Sequence, residues 1–70
     1  MPHISIKMYP GRSEEVKRAL AKKTRDFLMK EMNMDAKYFS VSIDEVEKDN
    51  WQEEVADKIL PDNLYIVADF

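Results

Sequence analysis

The amino terminus carries the residue best suited to chemistry, a proline directly behind the initiator methionine. An initiator methionine is generally removed when the second residue is small, and its removal here leaves Pro2 with a free secondary amine. Such an amine is both a base and a nucleophile. Free α-amino groups titrate at about 7.7–8.0, and burial or a nearby cation lowers that pKa because each disfavours the charged form. Arg12 and the apolar face of the first segment are candidates for these two effects, so one interpretation is a general base at Pro2. The other is structural, because proline is tolerated as the first residue of a strand, where its missing N–H costs little.

Side chains for other kinds of catalysis are scarce in this sequence. The chain has no cysteine, and its single histidine, His3, has no evident partners for a serine triad, so we expect a surface or intersubunit role for it. Carboxylates are abundant, but no histidine or cysteine spacing accompanies them, and we expect no metal site. Gly11 is the only glycine, which excludes a phosphate-binding glycine loop. The sequence therefore predicts chemistry without a metal or an organic cofactor.

Alternating apolar and polar residues predict a strand for the segment that carries the proline. Ile4, Ile6 and Met8 fall on one side of residues 2–9, and the residues between them are polar or aromatic. A proline–glycine pair then ends the strand. One face of this first strand is therefore expected to pack against the rest of the chain.

A long amphipathic helix is predicted next. Ser13 stands at the N-cap position, with two glutamates in the first turn, where acidic side chains suit the helix dipole. Apolar residues recur at spacings of three and four residues as far as Met32, which indicates about five turns. After a break at residues 33–37, alternation returns over residues 39–45 and predicts a second strand.

A strand, a helix long enough to cross a sheet and a second strand make a β-α-β unit with parallel strands. We predict an α+β fold in a single domain over residues 1–70. Two strands and one helix do not form a stable domain by themselves, and a chain this short usually draws only ~3–5 kcal/mol from its core. Residues 50–59 are a candidate short helix and residues 64–68 a candidate third strand. We expect a partner subunit to complete the sheet.

The order of these pieces resembles the tautomerase superfamily, and in particular 4-oxalocrotonate tautomerase and its small relatives. The resemblance rests on the start "PHISIKMY" behind methionine, the turn "GRSEE" before a long helix, the strand "FSVSIDEV", and the aromatic residue Trp51 after a short loop. It covers residues 2–55 of the 70. It implies β-α-β subunits whose strands form a four-stranded sheet across a dimer, with three dimers in a hexamer in some members.

The resemblance also implies roles for three residues. In the family the amino-terminal proline is a general base that moves a proton between carbons of an enol or unsaturated 2-oxo acid. At the matching positions of this chain, Pro2 is that base, Arg12 binds a substrate carboxylate and Trp51 lines the pocket. Such a site is physically coherent, because an amine of low pKa removes the proton while cationic or hydrogen-bonding groups stabilise the dienolate.

Ser40 departs from the family's pattern. The better-known hexameric members have a second arginine early in the second strand, at the position of Ser40, and a serine supplies neither a fixed charge nor a bidentate fork. The departure favours a monoacid or phenyl-substituted enol as the substrate that Ser40 contacts. Alternatively, a donor from elsewhere in the protein, such as Lys7 or Lys37, takes the place of the arginine. The opening "PHI-IK" pattern, the "WQ" pair and the extended tail resemble a dimeric branch of the superfamily. We therefore expect a homodimer rather than a hexamer.

Charge and hydropathy limit the other partners. The net charge is −3, divided into +4 for residues 1–43 and −7 for residues 44–70, which argues for self-association and against nucleic acid. No apolar run approaches the roughly 20 residues of a membrane span, and the amino terminus lacks the layout of a signal peptide. We expect a cytoplasmic protein without a membrane partner, acting on a small-molecule enol or 2-oxo acid.

Two alternatives stay open at the level of sequence. The chain could be a catalytically silent oligomeric or binding protein that keeps the fold without the reaction, and retention of Met1 would favour that interpretation. The same proline could instead support hydration, dehalogenation or decarboxylation of an unsaturated or 3-oxo acid. The absence of an arginine at Ser40 weakens chemistries that clamp two carboxylate-bearing ends.

Overall fold

The fold is a strand–helix–strand unit followed by a short helical segment. The computed structural model describes residues 1–69. The first strand, β1, spans His3–Met8, the long helix, α1, spans Glu14–Met32, and the second strand, β2, spans Ser40–Glu45. A one-turn helix, α2, spans Trp51–Glu54, and three-residue turns of 3₁₀-helix lie between and after these elements. The predicted α+β class is thereby confirmed.

β1 and β2 lie side by side as a parallel pair, as predicted for a β-α-β unit. The register sets His3 opposite Ser40 at one end and Met8 opposite Glu45 at the other. Residues that oppose each other in this way point to the same face of the sheet, and successive residues point to opposite faces. The apolar face, which α1 covers, is formed by Ile4, Ile6, Met8, Val41 and Ile43.

The sequence features that predicted α1 are present at its ends. Ser13 Oγ accepts a hydrogen bond from the backbone N–H of Val16 at 3.2 Å, so the predicted N-cap is confirmed. At the other end Asn33 adopts φ 52°, and its backbone N–H donates to the carbonyl of Met29. The helix has 19 residues, which is the predicted length of about five turns.

The single chain buries few side chains. Among residues 1–69, Val46 and Val55 are the only apolar residues that count as buried, and most of the apolar face of the sheet is half-buried. Several large apolar side chains are exposed, with Phe27 at 61%, Ile66 at 87% and Tyr65 at 93%. Apolar surface of this extent is typical of chains that pack against another protein. The expected partner subunit therefore has apolar surface to cover.

The carboxyl-terminal part differs from the sequence prediction. The helix predicted over residues 50–59 is confined to Trp51–Glu54, and a separate 3₁₀ turn spans Ala56–Lys58. The break falls at Val55, a β-branched residue with φ −119° whose side chain is buried. The third strand suggested for residues 64–68 is absent from the isolated chain, because a strand needs a paired neighbour and this segment joins neither β1 nor β2.

Lys17 ties the first turn of α1 to the end of β2. Its Nζ lies 3.0 Å from Glu14 Oε1 and 3.5 Å from Glu45 Oε1. The hydrogen bond from Lys17 lowers the pKa of Glu14, and the positive charge of the lysine acts in the same direction. The same hydrogen bond raises the pKa of Lys17. Folding is therefore linked to the ionisation of these groups.

We expect the Glu14–Lys17 pair to make stability depend on pH in the acid range. A carboxyl whose pKa is lower in the folded chain stabilises the fold above the unfolded pKa, and this contribution is lost as the pH falls through the folded pKa. Replacing Glu14 by glutamine should therefore reduce the loss of stability below about pH 4.5, measured as the urea midpoint against pH at one protein concentration. Glu15→Gln is the matched control, because Glu15 forms no ion pair within residues 1–69. If the urea midpoint becomes equally less dependent on pH in both variants, the pH dependence does not come from the Glu14–Lys17 pair.

Candidate active site

The turn between β1 and α1 brings Arg12 to the carboxyl end of β1. Gly11, in this turn, adopts φ 128°, a conformation that residues with side chains rarely adopt. No atom lies within 4 Å of the position that a Cβ would occupy. The glycine is therefore needed for its backbone conformation and not to make room for a neighbouring atom. Arg12 follows directly and is exposed. The guanidinium is thus available to a ligand.

Arg12 and Trp51 line one cavity at this end of the molecule. The cavity has a volume of about 450 Å³, and its walls are formed by Met8, Tyr9, Arg12, Leu20 and Trp51. Tyr9 and Trp51 meet edge to face, with ring centroids 4.9 Å apart and an interplanar angle of 81°. Apolar and aromatic walls with one exposed guanidinium suit an organic acid, because the walls bury the carbon skeleton and the cation binds the carboxylate.

Pro2 lies at the opposite end of β1. It is half-buried, and its carbonyl accepts a hydrogen bond from the backbone N–H of Ser40 at 3.2 Å. This bond holds the first residue of β2 beside Pro2. Met1 is 99% exposed, so its removal would take no packed side chain from the fold. With Met1 attached, the Pro2 nitrogen is a tertiary amide and has no useful basicity.

The four site residues predicted from the sequence form two separate groups within one chain. Pro2 and Ser40 lie at the amino-terminal ends of the strands, and we call them the proline half-site. Arg12 and Trp51 lie past the carboxyl-terminal end of β1, and we call them the arginine half-site. A strand of six residues spans ~20 Å, which is too far for one small substrate to touch both groups.

His3 has partners that the sequence analysis missed. Its Nδ1 lies 2.7 Å from Ser40 Oγ and its Nε2 lies 3.1 Å from Ser42 Oγ, on the sheet face that α1 does not cover. The sequence feature that indicates this cluster is the alternation of side chains between the two faces of each strand. Once the strands are set in register, this alternation puts His3 and both serines on one face. The register depends on the pairing of distant segments, so the sequence of one chain did not reveal this cluster.

The two lysines considered as alternative donors have other neighbours. Lys7 Nζ lies 3.5 Å from Asp44 Oδ2, in an ion pair across the two strands. Lys37 Nζ lies 5.2 Å from the centre of the Tyr38 ring, a cation–π distance. In neither contact does the lysine ammonium meet the proline half-site.

Comparison with known proteins identifies the family. A family model described as "Tautomerase enzyme" matches residues 2–59, which is most of the chain. The chain belongs to the tautomerase family. The four predicted positions of this tautomerase-family chain, Pro2, Arg12, Ser40 and Trp51, all lie within the matched region. The family resemblance that rested on sequence motifs is thereby confirmed.

Relatives of this tautomerase-family chain carry names that agree with the family. "Tautomerase PptA" of Pectobacterium carotovorum subsp. carotovorum is 35% identical over 69 residues, which cover 97% of this chain and 91% of the relative. "Tautomerase PptA" of Pectobacterium atrosepticum is 33% identical over 69 residues, with the same coverage. "Probable tautomerase" of Xylella fastidiosa is 33% identical over 55 residues, which cover 79% of this chain and 67% of the relative. These similarities support a tautomerase-type function.

The described part of the chain offers neither a metal-binding cluster nor a membrane-spanning helix. Within residues 1–69, no three His, Cys, Asp or Glu side chains are grouped so that they could hold a metal ion. No helix among the same residues is both long enough and apolar enough to cross a bilayer.

Proposed function

We propose that this protein is a keto–enol tautomerase whose base is the Pro2 amine, freed by removal of Met1. Family membership and the names of the relatives support the reaction type, and the amino-terminal proline supports the choice of base. A secondary amine can take a proton from an enol, or from a carbon next to a 2-oxo system, and return it to another atom of the substrate. The proposed substrates are enols and unsaturated 2-oxo acids, and the proposed reaction needs no cofactor.

The observation that carries this proposal is the position of the two half-sites at opposite ends of β1. Among residues 1–69, β2 is the only strand that pairs with β1, so the other edge of β1 is open. The unpaired N–H and C=O groups of such an edge can pair with another chain. A second copy that pairs antiparallel has its own β1 running the opposite way, so its arginine half-site comes next to the first copy's proline half-site. Twofold symmetry then gives two complete sites.

In such a shared site each group acts on a different part of the substrate. Arg12 of the partner subunit binds the carboxylate through a charge-assisted contact, and the partner's Trp51 packs against the apolar part. The amine of Pro2 moves the proton. Enclosure between two subunits and the neighbouring guanidinium both disfavour a charged amine, which keeps Pro2 in its basic form.

We favour a homodimer as the assembly that forms these sites. Antiparallel pairing of two β1 strands gives a four-stranded sheet, which is a more stable unit than the two-stranded sheet of one chain. Exposed apolar side chains near the carboxyl terminus, among them Leu60, Tyr65 and Ile66, supply further surface for the contact. A hexamer of three such dimers would contain the same shared sites.

The direct test is ketonisation of phenylenolpyruvate by protein whose loss of Met1 has been verified by intact mass. We expect the processed protein to accelerate the decay of the enol absorbance at least ~100-fold over buffer, the lower range for a positioned base. The same protein with Met1 retained is the matched control and should be inactive. A processed protein that is no faster than buffer overturns the proposal and favours a silent oligomeric protein.

A further inference from the structure

The imidazole of His3 contacts the hydroxyl of Ser40, and the backbone of Ser40 is hydrogen-bonded to Pro2. The ring bridges Ser40 Oγ at 2.7 Å and Ser42 Oγ at 3.1 Å, on the sheet face that α1 leaves uncovered. Ser40 in turn donates its backbone N–H to the carbonyl of Pro2 at 3.2 Å. His3 and Ser40 are both exposed. The cluster is therefore open to a ligand that reaches Pro2.

The imidazole decides what the Ser40 hydroxyl can offer to such a ligand. A neutral imidazole has one N–H and one bare nitrogen, and a serine hydroxyl has one proton to donate. If Nδ1 accepts from Ser40, the hydroxyl proton is used within the protein. If Nδ1–H donates to Ser40 Oγ, the hydroxyl proton is free for a substrate oxygen. In this second arrangement Nε2 is bare, and Ser42 supplies the hydroxyl donor that it needs.

We infer that His3 is a positioning residue that directs the Ser40 hydroxyl toward the substrate oxygen on which negative charge develops. The inference rests on the proposed function, because that charge arises when Pro2 removes a proton. The oxygen is bonded to a carbon next to the one that exchanges the proton, so its donor must lie beside the base. The backbone N–H of Ser40 donates to the carbonyl of Pro2, so Ser40 lies at the same end of the sheet as the proposed base. A donor that is oriented before the reaction stabilises such charge strongly.

Two substitutions of His3 separate positioning from packing. In His3→Asn the amide nitrogen takes approximately the place of Nδ1 and can still donate to Ser40. In His3→Gln the amide nitrogen takes approximately the place of Nε2 and can donate to Ser42 Oγ, so a hydrogen bond with Ser42 remains, with donor and acceptor exchanged, and the contact with Ser40 is lost. The pair thus changes one hydrogen bond at a time with side chains of similar polarity.

We expect these variants to differ in kcat for phenylenolpyruvate and to share nearly the same KM. Ser40→Ala, which removes the donor, should lower kcat by about 100-fold. His3→Gln should lower it by about tenfold, because the hydroxyl remains but is no longer oriented. His3→Asn should stay within about threefold of the wild type. Circular dichroism and sedimentation verify that fold and assembly are unchanged.

A binding measurement keeps the inference testable apart from catalysis. Oxalate is a planar dianion with two oxygens arranged like those of a 2-oxo-acid enolate. Titration of processed protein with oxalate, followed by NMR, should shift the backbone amide signals of Ser40 and Ser42. We expect Kd for oxalate to rise about tenfold in His3→Gln and to stay near the wild-type value in His3→Asn.

Equal kcat and equal oxalate Kd in the two His3 variants overturn the inference. An equal loss in both variants, accompanied by a lowered unfolding midpoint, assigns His3 a purely structural role and overturns it as well. The proposed function fails separately, when Pro2→Ala keeps its full kcat. A difference in oxalate Kd between the His3 variants still supports the donor role of Ser40 in that case.

Discussion

Pro2→Ala should lower kcat for ketonisation of phenylenolpyruvate at least ~100-fold, because the reaction loses a base held in a fixed position. Alanine is also small, so Met1 is still removed and a primary amine remains at the start of the chain. That amine is less basic than a secondary amine and is not fixed by a ring. KM should change less than kcat, because Arg12 and Trp51 are intact. Decay of the enol absorbance gives both constants once intact mass has verified processing.

A second variant separates the amine of Pro2 from its ring. An added residue ahead of Pro2 keeps the ring but turns the nitrogen into a tertiary amide, and we expect the same loss of kcat. Both variants should sediment as the wild type does, since Met1 is exposed and packs against nothing. A protein with a blocked amine and full kcat would exclude Pro2 as the base.

Mixing Pro2→Ala with Arg12→Ala should restore activity that neither variant has alone. Each homodimer lacks one half of both proposed sites, whereas a mixed dimer has one site with Pro2 and Arg12 both intact. Random exchange of equal amounts makes about half of the dimers mixed, so about one quarter of the wild-type sites are recovered. The measurement is the rate at low enol concentration before and after exchange through mild urea.

The matched control mixes wild type with the double variant Pro2→Ala/Arg12→Ala. Sites shared between chains predict about one quarter of the wild-type rate per chain, because only pure wild-type dimers have complete sites. Sites formed within one chain predict about one half of the wild-type rate per chain, because every wild-type chain then has a complete site. No recovery in the first mixture and one half in the second would refute a shared site.

The elements of the fold were predictable where local physical effects determine them. Ser13 caps α1 because its hydroxyl accepts a backbone N–H that has no partner in the helix, and sequence alone indicates such a residue. The helix ends at Met32, the last residue of the predicted apolar pattern, and Asn33 is its C-cap. The segment after Trp51 was predicted less well. Its run of apolar residues at helical spacing is short. The backbone of Val55 also interrupts the helix, and the side chain of Val55 is buried.

Sequence patterns indicated which residues to consider for the candidate site, but most of their geometry could not be predicted. Pro2 and Arg12 stand at fixed places in the chain, before the first strand and in the turn before the helix, so sequence patterns locate them. Their separation follows from the direction of β1, and for this reason the proposed site needs a partner subunit. The bonds of His3 to serines 37 and 39 residues away depend on strand register, and register is set by packing across the whole unit.

The length of β1 also links the activity to the amount of protein present. Because each site of the proposed dimer needs two chains, the number of sites follows the monomer–dimer equilibrium. Where monomers predominate, the rate grows with the square of the total concentration, so halving the amount of protein removes more than half of the activity. Expression level would then set both the quantity of the catalyst and the fraction of it that works.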